Sequence, residues 1–308
     1  MMKPKIIIIC GPTGVGKTTA AIKFSQTFKG EIIGADSMQI YREMDIGTAK
    51  PTRAEQAAVA HHLIDAANPD EPFDAALFAE KADQIIHSLL SRKITPFIVG
   101  GTGLYIKALI HGLSRARPAA RNVLKRLKNE AEQYGSENLH RRLSECDPKT
   151  AEKIHPNDTF RIIRALEIFE VTGKPISAIH DEHRFSPKKY QALKIGIHLD
   201  RETLYERINR RVDAMMEDDF LDEVNMLLKK GYSPNLKSMQ SLGYRHMVEY
   251  LSGGVFWEEA IETMKRDTRR YAKRQMTWFK ADPEMKWFTP DQVEQMQYEI
   301  ERFLRDHS

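Results

Sequence analysis

Residues Gly11-Pro-Thr-Gly-Val-Gly-Lys-Thr18 have the spacing G-x-x-x-x-G-K-[ST]. A glycine-rich turn of this kind closes backbone N–H groups around phosphate oxygens, and the helix that follows directs its positive end at them. The whole stretch, Gly11, Pro12, Thr13, Gly14, Val15, Gly16, Lys17 and Thr18, is therefore expected at a bound polyphosphate. Lys17 would reach the terminal phosphates and Thr18 would hold a magnesium ion. The pattern does not name the compound that carries the phosphate.

Two further groups stand where strands end. Asp36 follows Glu31-Ile-Ile-Gly-Ala35, and a carboxylate at that position could ligate magnesium, accept a proton or simply cap a helix. Gly100-Gly-Thr-Gly103 follows Pro96-Phe-Ile-Val99 and offers close backbone approach and the Thr102 hydroxyl, or only a tight turn.

Positive charge is unevenly placed. Lys and Arg number 47 against 43 Asp and Glu, too small an excess to indicate a polyanionic partner. Yet residues 264–280 hold Lys265, Arg266, Arg269, Arg270, Lys273, Arg274 and Lys280 with Asp267 as the one acid. At about 100° per residue, the basic residues from Lys265 to Arg274 share one half of a helix, with Tyr271, Ala272, Trp278 and Phe279 on the other. That half is either solvated or a contact for a phosphate backbone. Arg201, Arg207, Arg210 and Arg211 form a second group that could clamp a diphosphate.

Other chemistries find little support. Cys10 and Cys146 lie far apart in no metal-binding spacing, which points to a reducing cytoplasm and to buried filler at Cys10. The histidines, His61 and His62 among them, fit no zinc pattern and read as capping or surface residues. The apolar run Ile6–Cys10 is far too short to span a membrane.

The elements that must hold these groups follow from periodicity. Lys5–Cys10 is apolar throughout after its lysine, as a strand buried on both faces must be. Residues 19–28 read as a helix, 31–35 as a strand, and 75–92 as a helix with an apolar stripe at Ala75, Phe78, Ala82, Ile86 and Leu89. Residues 96–99 read as a strand and 104–110 as a helix. Alternation of this kind builds a doubly wound α/β sheet. Between 114 and 185 only helical segments are found, with Asp158 as a candidate N-cap. Strand character returns at 192–199, and 202–307 is mostly helical. The expected organisation is an α/β, P-loop NTPase-like parallel-sheet core (1–113 and 186–308, with a helical C-terminal part) interrupted by an all-helical insertion domain (114–185).

Several stretches together resemble the bacterial type of tRNA dimethylallyltransferase, the IPP transferase family. They are GPTGVGKT (11–18), ADSMQIYREMDIGTAKP (35–51), HHLID (61–65), VGGTGLY (99–105), HPND (155–158), RALEI (164–168), LGYR (242–245) and KRQMTWF (273–279). The resemblance implies transfer of the dimethylallyl group of dimethylallyl diphosphate to N6 of the adenine 3′ of the anticodon, in tRNAs that read codons beginning with U. It implies Mg2+ as cofactor, tRNA as partner through its anticodon stem-loop, a cytoplasmic setting, no membrane and no obligate protein partner.

Carried over residue by residue, Asp36 would be the general base, Thr102 would sit beside the reacting centre, and Lys17 would hold the diphosphate. Arg207 and Arg211 would grip that diphosphate as it leaves. Asp36, Ser37, Met38 and Gln39 would meet the target base or its neighbours. The tRNA would further touch Arg161, Arg164, Gln240, Gly243, Tyr244, Arg245, Arg269, Arg270, Lys273 and Arg274, with the insertion domain as part of its seat. Where the family carries P-Q-R this chain has Thr159-Phe160-Arg161, an aromatic ring that could stack on a base. Taken without the resemblance, the residues leave room for a small-molecule P-loop kinase or an adenylate isopentenyltransferase.

Overall fold

In the computed structural model the described residues are 3–112, 121–179 and 189–306. The chain divides into two compact units, 1–110 with 189–308, and 111–188.

The first unit is built on six parallel strands. They are Lys5–Cys10 (β1), Gly30–Gly34 (β2), His61–His62 (β3), Thr95–Gly100 (β4), Gln191–Ile197 (β5) and Lys286–Phe288 (β6), in the spatial order β3-β2-β4-β1-β5-β6. β1 lies in the middle, pairing with β4 on one side and β5 on the other. Residues Ile6 to Cys10 are all fully buried, which accounts for their unbroken apolar character. Lys17–Thr27 (α1), Arg53–Ala58 (α2), Ala75–Ser91 (α3) and Gly103–His111 (α4) link the strands of the N-terminal half. The predicted stripe on α3 is buried at Ala75, Phe78, Ala82, Ile86 and Leu89. Asp74 caps that helix, accepting from the N–H groups of Ala76 (3.0 Å) and Leu77 (2.9 Å).

Two strands lie where no strand was expected. β3 is the two-residue His61–His62 pairing with β2, and β6 is the three-residue Lys286–Phe288 pairing with β5. Neither has an apolar run long enough to stand out, so a stretch expected to be mostly helical supplies an edge of the sheet.

The second unit contains Arg121–Tyr134 (α5), Ser136–Cys146 (α6), Pro148–Ala151 (α7) and Thr159–Thr172 (α8). Leu127, Leu139, Leu143, Ile162 and Leu166 form its core. Asp158 caps α8 through the N–H of Arg161 at 3.1 Å, as expected. Residues 113–120 and 180–188, with the histidines His180 and His183, lie outside the described residues.

The C-terminal part of the first unit adds Arg201–Glu217 (α9), Phe220–Lys229 (α10), Tyr244–Leu251 (α11), Trp257–Lys280 (α12) and Val293–Arg305 (α13). No described helix is long and apolar enough to cross a membrane.

Candidate active site

At the carboxyl end of the sheet, a cavity of about 580 Å³ lies within the first unit. The phosphate-type loop forms one wall. Gly16 adopts φ +90° at the N-cap of α1, a left-handed conformation that glycine accepts without strain. No side chain caps that helix, so its first N–H groups are left facing the cavity. Thr13, Gly14, Gly16, Lys17 and Thr18 line this wall, whereas the Val15 side chain is fully buried in the core.

Lys17 Nζ donates to the Pro12 carbonyl at 2.8 Å. Burial lowers its pKa to about 8, against the opposing pull of the Asp36 carboxylate. A dianionic phosphate group placed there would restore the charge. Arg211 on α9 donates to the Thr13 hydroxyl at 3.3 Å, and burial lowers its pKa also. Ile208, Arg211, Val212 and Met215 make the cavity-facing stripe of α9. Arg207 is exposed and lies outside that lining, so this pair of arginines is split between cavity and surface.

Asp36 lines the same cavity just beyond the end of β2. Its Oδ1 accepts the N–H groups of Met38 (2.9 Å) and Gln39 (3.3 Å). No helix follows Asp36, so it is not a helix cap; one oxygen holds the turn at 37–40, and the residue lines the cavity. Thr102 does not line it. Its hydroxyl accepts the Ser37 N–H at 3.0 Å and its own N–H donates to the Ala35 carbonyl at 3.1 Å, so it braces both sides of Asp36. Ser37, Met38 and Gln39 all line the cavity. The Gln39 amide nitrogen donates to the carbonyls of Thr48 (3.1 Å) and Ala49 (3.0 Å), which commits that end of the side chain to the loop.

Helix α12 lines the cavity and supplies, besides the expected Arg274, two groups the sequence did not single out for the site, Gln275 and Tyr271. Gln275, buried, accepts the Thr13 N–H at 2.9 Å and donates to the Gly101 carbonyl at 2.9 Å. Its one amide thus ties the phosphate-type loop to the loop after β4. Tyr271 and Arg274 line the cavity beside it, and burial raises the Tyr271 pKa. His61, read as an ordinary residue, also lines the cavity. Its Nδ1 is 2.7 Å from the Val59 carbonyl, and burial lowers its pKa. Only their places in the fold reveal these roles. Replacing Gln275 with alanine should weaken binding of inorganic diphosphate about tenfold, in line with two lost buried hydrogen bonds partly offset by water. Titration calorimetry on the two proteins would check this.

The basic half of α12 is partly spoken for. Lys265 pairs with Asp213 (2.7 Å), and Arg269 donates to Asn209 (2.7 Å) with its guanidinium over the Tyr205 ring. Arg245, Arg266 and Arg270 gather around Asp267. Arg270, Lys273 and Arg274 are exposed. Trp278, expected on the packed half, is 47% exposed.

The LGYR stretch needs correcting in part. Tyr244 is fully buried with its hydroxyl donating to Glu223 at 2.5 Å, and Gly243 is buried beside it, so neither presents a side chain to a large ligand. Arg245 lines the cavity, while Gln240 is exposed and donates to the Pro234 carbonyl. In the second unit, Arg161 and Arg164 are exposed, paired with Asp158 and Glu167, and Phe160 is 81% exposed.

A phosphate loop, a carboxylate and a basic helix meeting at one cavity allow anion binding beside proton transfer. The family model for IPP transferase matches residues 39–282. The chain belongs to the IPP transferase family. It is 57% identical to a tRNA dimethylallyltransferase of Desulfosudis oleivorans, over 98% of this chain and 97% of that one. It is 47% identical to the tRNA dimethylallyltransferase of Acetivibrio thermocellus, covering 94% and 93%. Among solved structures, the full-length tRNA isopentenylpyrophosphate transferase of Bacillus halodurans superposes with a TM-score of 0.73 at 42% identity, covering 98% and 97%. A eukaryotic dimethylallyltransferase solved in the course of acting on tRNA gives 0.79 at 29% identity, over 96% of this chain and 77% of that one. The α/β fold expected from the sequence is the fold of this family.

Proposed function

We propose that this protein transfers the dimethylallyl group from dimethylallyl diphosphate to N6 of the adenine 3′ of the anticodon, in tRNAs reading codons that begin with U, and releases diphosphate. The observation that carries this reading is that Asp36 and Lys17 line one cavity, near enough for the carboxylate to act on the ammonium. An exocyclic amine is a weak nucleophile because its lone pair is delocalised into the ring. As the bond from N6 to C1 of the prenyl group forms and the C1–O bond breaks, the N6 proton passes to the Asp36 carboxylate. The electron pair of the broken bond leaves with the diphosphate, where Lys17, Arg211 and the N–H groups of α1 stabilise the added charge. Thr102 and the N–H groups of Met38 and Gln39 keep the carboxylate in place.

The residues present fit magnesium. Thr18 lines the diphosphate wall, and no cluster of three or more His, Cys, Asp or Glu side chains suited to a metal occurs among the described residues. Thr18 would offer the ion a hydroxyl oxygen, a hard donor of the kind magnesium takes. When bound, it would neutralise part of the charge on the leaving diphosphate.

The adenine must leave its stack to reach Asp36, which is cheapest in a single-stranded loop. The exposed Arg270, Lys273 and Arg274, the rim residue Arg245, and Arg161, Arg164 and Phe160 of the second unit would hold the RNA. A reaction on tRNA supports a cytoplasmic setting. Replacing Arg270 and Lys273 with glutamate should weaken tRNA binding and make log Kd less steep in log salt by roughly 1.4 to 1.8, since each lost phosphate contact removes about 0.7 to 0.9. Filter binding from low to moderate salt measures both. An unchanged slope would show a merely solvated face.

The test of the function is incubation of purified protein with labelled dimethylallyl diphosphate and unmodified tRNA, followed by nucleoside analysis. Prenylated adenosine at the position 3′ of the anticodon is expected. Phosphate transfer from ATP, or prenylation of free adenine nucleotides with tRNA untouched, would overturn it.

A further inference from the structure

Glu223, on α10, is 8% exposed and lies outside the cavity lining. Both of its oxygens are fully engaged. Oε2 accepts the N–H groups of Asp45 (2.9 Å) and Ile46 (2.8 Å), and Oε1 accepts the Gly47 N–H (3.3 Å) and the Tyr244 hydroxyl (2.5 Å). Four donors from two distant segments converge on one buried carboxylate. The rings of Phe220 and Tyr244 cross at 5.0 Å beneath the same loop. A Cβ at Gly47 would stand 2.2 Å from the Phe220 ring, so the backbone rests directly on these rings.

The segment gripped here leads to the reacting wall. Just beyond it, the carbonyls of Thr48 and Ala49 receive the Gln39 amide, and the Gln39 N–H is one of the two that hold Asp36 Oδ1. An unbroken series of hydrogen bonds and backbone thus runs from Glu223 to the carboxylate. The diphosphate wall is held separately, by Gln275 and Arg211.

We propose that Glu223 is a positioning residue for prenyl transfer, which sets the alignment of Asp36 through residues 45–49 and Gln39 without touching either substrate. The inference rests on the prenyl-transfer reading. It predicts an effect on kcat and none on the binding of the diphosphate donor.

Glu223→Gln is the mild variant. Its remaining carbonyl oxygen can serve Asp45 and Ile46, while its amide nitrogen can donate to the Tyr244 hydroxyl but must face the Gly47 N–H. Glu223→Ala removes every acceptor. Misplacing a reacting group by about 1 Å can cost roughly 100-fold, so kcat should fall about tenfold in Glu223→Gln and about 100-fold in Glu223→Ala. The donor KM should stay within about twofold of wild type on the same argument. Lys230→Met breaks only the exposed pair with Glu43 beside the same helix and should leave kcat unchanged. Steady-state kinetics well below the melting temperature reads all three.

Hydrogen exchange at the amides of residues 45–47 reads the clamp without any assay of activity. Faster exchange there in Glu223→Gln, with β1 and β4 unchanged, is expected. Unchanged kcat in Glu223→Ala, a matching rise in donor KM, or unaltered exchange at 45–47 would overturn the proposal. If the wild-type protein transfers no prenyl group, the functional reading fails, and the exchange data still judge the clamp.

Discussion

Asp36→Asn should lower kcat for prenyl transfer by about 10² to 10⁴, the usual worth of a positioned general base, while tRNA affinity changes less than about twofold on the same account. Asparagine is the informative replacement because of how the aspartate is held. An amide oxygen can still accept the N–H groups of Met38 and Gln39, so the turn that follows β2 survives. What is lost is the capacity to take the N6 proton. Alanine removes the turn's acceptor as well and would mix two effects. Single-turnover kinetics with excess enzyme, set beside tRNA binding by filter retention, separates chemistry from affinity. Equal turnover in the asparagine variant would refute the base assignment. A fall in both quantities together would show that Asp36 serves chiefly to hold the base.

Lys17→Met should reduce kcat/KM for the donor by about 10² to 10³, as expected for one lost donor to a charge that grows in the transition state. The lysine carries a second signature in its pH dependence. Burial depresses its pKa to about 8, so the ammonium is present below that pH and is lost above it. The log of kcat/KM, which reports the free enzyme, should therefore bend downward near pH 8. The profile of kcat should bend at higher pH, because bound diphosphate favours the charged amine. The bend in kcat/KM should vanish in Lys17→Met. A wild-type profile that stays flat to pH 10 would show that the amine is not the group that governs donor capture.

Much of this was legible in the chain before any coordinates. The alternation of apolar runs with glycine-marked strand ends laid out β1, α1, β2, α3, β4 and α4, because strands buried on both faces must be apolar without interruption. Asp36 and Lys17 could be placed at the ligand crevice for the same reason. Three kinds of residue escaped. β3 and β6 are too short to carry a period, and become strands only because a neighbour offers a free edge. Gln275 lay in a stretch whose charge drew attention, yet its own part is to join two loops that are distant in sequence. Tyr244 sat beside an exposed arginine and seemed to share its purpose. The helix turns its ring inward instead, to meet the Glu223 carboxylate. In each case the deciding fact is a contact across more than twenty residues, or with a neighbouring strand, which no local pattern records.

The link from Gln275 to Thr13 also bears on entropy. Fixing the backbone of one residue costs about 1 to 2 kcal/mol, so a glycine-rich turn that ordered only around its ligand would surrender much of its affinity in doing so. Here the turn is held by a side chain of α12 and by Arg211, through hydrogen bonds between protein groups alone. The cost of its order has been met once, when the chain folds, and need not be met again at each turnover. The same arrangement makes phosphate capture hostage to the seating of α12. Warming that loosens this helix should erode donor affinity at temperatures where the central strands remain intact.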